Sequence, residues 1–170
     1  MTAPLVTPTE SLWNDIDSYL VAKAISDLGT GSAYTTLKVL EVHVDDTLEP
    51  QEDWHLPAIV ISSFLCELDT TLGGDAFDSA VNKYRCGITA VLSATSYDQA
   101  RKDTKEMIRR IAKLARALGA MGRMASTDGE TVIDSRIAMQ QARIYPAKGS
   151  ETVWYGAGIV GVDVFAEVEQ

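Results

Sequence analysis

His43 and His55 are the two imidazoles of the chain, and both sit among carboxylates: Asp45 and Asp46 follow the first, Asp53 precedes the second. Imidazole and carboxylate are donors that zinc accepts, but no fixed ligand spacing joins them. The same residues read as a strand end beside a solvated acidic loop. Asp69, Asp75 and Asp78 flank Gly73-Gly74 and offer the oxygen donors calcium takes. The alternating D-x-D-x-D-G order and its closing glutamate are missing, so a solvated loop is the competing reading. Gly29 and Gly31 supply two glycines of a dinucleotide fingerprint, yet they follow a predicted helix, whereas that fingerprint follows a strand. The sequence holds no G-x-S-x-G elbow, no Walker lysine motif and no H-E-x-x-H. Cys66 and Cys86 form no CxxC or Cys/His cluster and are expected as buried free thiols. Neither a catalytic set, a metal site nor a cofactor site is predicted.

Charge is the stronger signal. The 170 residues carry a formal charge of −9, which argues against general nucleic-acid binding. Eight of the 15 basic residues nevertheless lie between Arg101 and Arg123, against Asp103 and Glu106 alone. That segment carries +6 and the remainder −15. The first 53 residues hold ten acids against Lys23 and Lys38. Such segregation suits copies that meet through opposite charges, or a helix face that is merely solvated. Tyr97 is the one aromatic from 97 to 123, too little interleaving for base reading. With 46% hydrophobic residues the chain has enough apolar matter for one core, and one domain is expected. No apolar run approaches the ~18 residues of a membrane span, and the first 17 residues do not have the basic-then-apolar pattern of a signal peptide. A soluble intracellular origin is the expectation.

Residues 1–10 read as a flexible lead-in. Apolar positions Leu12, Ile16, Leu20, Ala24 and Leu28 predict a helix over 12–28, capped by Thr9 or Ser11. Alternation predicts a half-buried strand over 37–44, with Leu40, Val42 and Val44 on the inward side. Further strands are predicted over 56–68 and 83–95, forming a long hairpin around a projecting loop, 69–79. Ser96 opens a helix over 97–118, whose apolar stripe of Ala100, Thr104, Met107, Ile111, Leu114 and Ala115 lies opposite Arg101, Lys105, Arg109, Lys113 and Arg116. Strands over 132–145 and 152–168 complete the order α-β-β-β-α-β-β. The fold class is α+β: a mostly antiparallel sheet with a long β-hairpin, flanked by two helices. Gly156, Gly158 and Gly161 in the last strand mark bends or close backbone approach. Trp13 and Trp154 are expected to pack in the core or at an edge, and Trp54, set among acids, to be an exposed contact residue.

The ordered features carry a resemblance. A short helix and a strand are followed by Pro57-Ala-Ile-Val-Ile61, a Gly-Asp loop, Lys83-Tyr-Arg-Cys-Gly-Ile-Thr-Ala-Val-Leu92, a helix opening Ser96-Tyr-Asp-Gln-Ala-Arg101, and a closing Val162-Asp-Val-Phe-Ala-Glu-Val-Glu169. Over residues 10–169 this resembles the neck proteins of long-tailed bacteriophages, in particular the tail terminator family. The resemblance implies a non-enzymatic virion protein, assembled in the host cytoplasm, whose copies form a six-membered ring. That ring caps the tail tube protein and joins it to the head connector proteins, and DNA passes its lumen without specific binding. Asp69, Asp75 and Asp78 become candidate tube or lumen contacts; Arg101, Lys105, Arg109, Lys113, Arg116 and Trp54 become candidate interface residues. No cofactor and no membrane enter. A head-closure or tail-completion protein of the same neck, or an unrelated intracellular partner-binding module, remains as an alternative reading, and an enzyme with an unrecognised site as another.

Overall fold

The computed structural model describes residues 6–29, 37–45, 53–66, 79–117 and 124–169. Chain order is α1 (Leu12–Leu28), β1 (Glu41–Val44), β2 (Ala58–Cys66), β3 (Ser79–Ala94), α2 (Tyr97–Ala117), β4 (Glu130–Pro146) and β5 (Trp154–Glu169). The five strands form one sheet in the spatial order β1-β2-β3-β5-β4, parallel between β1 and β2 and antiparallel elsewhere. The fold is therefore α+β in the predicted order.

Each helix begins where its side chains relieve the free N–H groups of the first turn. Ser11 caps α1 by accepting from the Asn14 N–H at 3.3 Å, and Ser96 caps α2 by accepting from Gln99 at 3.2 Å. Thr9 does not cap the helix. Its N–H and hydroxyl both donate to Asp15, which is buried in the first turn of α1. The Thr9 carbonyl accepts from the Thr127 N–H, so residues before the helix are tied to the turn that precedes β4. At the other end Gly29 returns its N–H to the Ile25 carbonyl.

Both helices lie on one face of the sheet. Leu12, Ile16, Leu20, Ala24 and Leu28 of α1 and Met107, Ile111, Leu114 and Ala115 of α2 share one cluster with Ile59, Ile61, Cys86, Ile88, Leu92, Val160, Val162 and Val164. Fully burying one such large aliphatic side chain stabilises the fold by roughly 1.5–3 kcal/mol. Alternation along β3 and β5 sends even-numbered residues to the helices and odd-numbered ones to the opposite face. Cys86 is a buried free thiol; the side chain of Cys66 lies outside the described residues.

Two glycines set the distance of α2 from the sheet. A Cβ on Gly156 would stand 1.9 Å from Thr104 Oγ1, and one on Gly158 2.7 Å from Ile108 Cγ1. Gly161, on the opposite face, lies under Met139. Close approach is thus the reason for these glycines.

The first and third strands differ from expectation. β1 spans four residues, not 37–44. Leu37 has φ +52°, and Val39 pairs with Gly29 rather than with β2. Val42 packs on the core as predicted, but Leu40 and Val44 are 53% and 56% exposed because β1 is the rim of the sheet. β3 begins at Ser79, four residues early, because β5 runs beside it as far as Glu169. The hairpin of β2 and β3 is present, with Ala58 opposite Val91 and Cys66 opposite Lys83.

Candidate functional site

The cationic face of α2 is built by subtraction. Its buried positions recur every three or four residues, and the cations fill the remaining arc. Arg101, Lys102, Lys105, Arg109, Lys113 and Arg116 are all exposed. From Arg101 to Arg116 the stripe runs about 22 Å at ~1.5 Å per residue. Glu106 interrupts it, accepting from Arg109 at 2.7 and 3.0 Å and from Arg110 at 3.1 Å. The Arg109 hydrogen bond, then that from Arg110, outweighs burial and holds the Glu106 carboxyl at about 2. Arg110 is buried and also donates to the Leu37 carbonyl, so it braces the helix against the turn before β1. Among the described residues no ion pair engages Arg101, Lys105, Lys113 or Arg116. These four, with Arg109 partly answered by Glu106, are the charge that a partner would meet.

The other predicted contacts divide. Asp69, Asp75 and Asp78 lie outside the described residues. Trp54 is half-buried, and its ring stacks on His43 with centroids 4.4 Å apart and planes 9° from parallel. Trp13 is half-buried, donates its indole N–H to Ser63 at 2.6 Å and meets Tyr84 edge-on; Trp154 meets Tyr97 edge-on.

Glu41 gathers what the sequence left apart. His43 Nε2 lies 2.9 Å from Glu41 Oε2, the His55 backbone N–H donates to the same oxygen at 3.1 Å, and His55 Nδ1 meets Oε1. Glu41 and His43 share a side of β1, as residues two apart in a strand must. The pair and Trp54 thereby clasp residues 53–55 onto the rim strand. Among the described residues no group of three His, Cys, Asp or Glu side chains is arranged to hold a metal ion. The His55 side-chain hydrogen bond is the largest cause that holds Glu41 at about 2, against an ordinary 4.5. A depressed carboxyl favours the fold above its unfolded value. The contribution is therefore complete above pH 4.5 and disappears as pH falls from there through about 2. Urea midpoints measured between pH 2 and 6 should fall more steeply for the wild type than for Glu41→Gln. Parallel curves would show that the clasp adds no stability.

On the face away from the helices, Asp163 is buried between Arg85 at 2.9 Å and Lys83 at 3.4 Å. Burial pushes its carboxyl up, but the Arg85 hydrogen bond and the two positive charges more than reverse this and leave it lowered. Arg136 and Lys83 both lie over the Phe165 ring. The arrangement locks β3, β5 and β4 together.

No family model and no curated protein matches the chain. Its surfaces are the guide to its function. Glu41 is the clasp residue that sequence reasoning missed; the signal for its contact with His43 was their i, i+2 spacing.

Proposed function

We propose that the chain is a structural assembly protein of a phage neck, a tail terminator whose copies close into a ring. The ring caps the tail tube, stops its growth and joins it to the head connector. The observation that carries this reading is the exposed cationic stripe of α2 on a chain of net charge −9. A closed ring needs two different, complementary surfaces on each copy. The stripe supplies one, and the acidic remainder supplies the other. An acid-rich lumen lets DNA pass because like charges repel along its path.

Native mass across protein concentration, with and without magnesium, tests the reading. The expected species is a discrete assembly of six copies of the 18.4 kDa chain, without intermediate open forms at high concentration. The same preparation should bind the ends of purified tails. A strict monomer that leaves tail ends uncapped would sink the proposal.

A further inference from the structure

Among the described residues the sheet ends at β1 on one side and at β4 on the other. No further strand among those residues pairs with β1 or β4 at the rim; isolated bridges join Gly29 to Val39, ahead of β1, and Ala125 to Thr131 of β4. β4 is shifted in register between Val132 and Asp134 and between Ile137 and Met139, then runs regularly from Met139 to Pro146. All six side chains from Ala138 to Arg143 are exposed, so this stretch stands free on both faces. Long edges are normally blunted by lysines, prolines or bulges; from Met139 to Tyr145 there is one charge, Arg143, and no proline. At the opposite edge Leu40 and Val44 stand more than half exposed.

We propose that the 139–145 edge of β4 pairs with the β1 edge of a second copy, antiparallel, with Val42 opposite Ala142. The inference rests on the self-assembly reading above and names the contact. Direction permits it: β1 and β2 run one way, β3 reverses, β5 reverses again and β4 once more, so a neighbour in the same orientation brings its β1 antiparallel to β4. Face permits it too. Val42 and Val44 share the helix side with Ile59 and Ile61; Ala142 and Ile144 share it with Gly158 and Gly156. Charge selects the register. Only with Val42 at Ala142 does Glu41 oppose Arg143 directly, while Leu40 meets Ile144 and Val44 meets Gln140 on the helix side. A shift of two residues either way leaves Arg143 opposite His43 or Val39. Because the two edges differ, the contact is heterologous, as a ring requires.

Cysteine pairs decide it. On a Cys66→Ser background, Val42→Cys and Ala142→Cys proteins are mixed and oxidised. The expected product is a covalent dimer that forms only in the mixture; the double variant in one chain should give a ladder of multimers. Val42→Cys mixed with Arg143→Cys should cross-link at least ten-fold less. Multimers by native mass without the 42–142 cross-link would overturn the edge pairing and leave the ring reading intact. Ala142→Cys linking to itself would overturn it in favour of β4 meeting its own copy. Monomeric mass with no cross-link would overturn both.

Discussion

Gly156→Ala should destabilise the protein by ~3 kcal/mol, the upper end of what overpacking a core ordinarily costs and a large part of the ~5–15 kcal/mol that ordinarily separates folded from unfolded. The added methyl would stand 1.9 Å from Thr104 Oγ1. Thr104 cannot turn away freely, since it is buried and its hydroxyl donates to the Ala100 carbonyl at 2.7 Å. Either α2 lifts, opening the core beneath Met107 and Ile111, or β5 is pushed from its neighbours. Chemical denaturation measures the loss. The mechanism is tested by adding Thr104→Ala: with the hydroxyl gone, the next contacts of the new methyl are at 3.3 Å. The double variant should recover at least ~1 kcal/mol relative to additivity. Gly149→Ala is the reference. It has φ +75° but no atom within 4 Å of the added Cβ, so backbone strain alone should cost about 1 kcal/mol. Equal losses at the two glycines would refute the close-packing account.

Lys105→Glu with Lys113→Glu should abolish assembly at concentrations where the wild type is fully multimeric, and leave the melting temperature nearly unchanged. Both residues are exposed, and neither has an ion pair among the described residues, so folding loses little. Arg109 is a poorer choice, because its reversal would also break the pair with Glu106. Two reversals replace attraction with repulsion at each contact, worth roughly 1–3 kcal/mol, or about 10–100-fold in association per interface. A closed ring compounds that factor around its circumference. Salt should act on the wild type in the same direction, as the screening length falls to ~3 Å at 1 M. Sedimentation of both proteins at low and high salt measures the effect. An unchanged mass distribution in the double variant would remove α2 from the interface.

The sequence announced most of the elements through periodicity. The bounds of α1, the stripe of α2 and the β2–β3 hairpin follow from apolar spacing that tertiary packing reinforces. Gly156 and Gly158 were legible as bends or close approach, and the packing of Thr104 and Ile108 over them decides for close approach. Edges were not legible in the same way. Alternation predicts Leu40 and Val44 as inward, but which strand becomes a rim depends on how distant segments pair. The Glu41 clasp escaped for a related reason: His55 reaches it across 14 residues, and no local pattern encodes that meeting. Alternation along β5 places Asp163 on the face away from the helices, but not the enclosure of its carboxylate by Lys83 and Arg85, some 80 residues earlier.

The strand order has a consequence for biosynthesis. β5 follows both β3 and β4 in the chain, yet it lies between them and supplies Val160, Val162 and Val164 to the core. Until it is made, β3 and β4 have no common partner. The emerging chain therefore holds β3 paired with β2 on one side only and β4 without a strand partner among the described residues, and α2 has no floor beneath Thr104 and Ile108. Such intermediates expose sheet edges that seek other chains, and closing contacts of this sequence separation is slow. Completion of the fold, and with it of any surface that binds a second copy, is thus timed to the synthesis of residues 154–169.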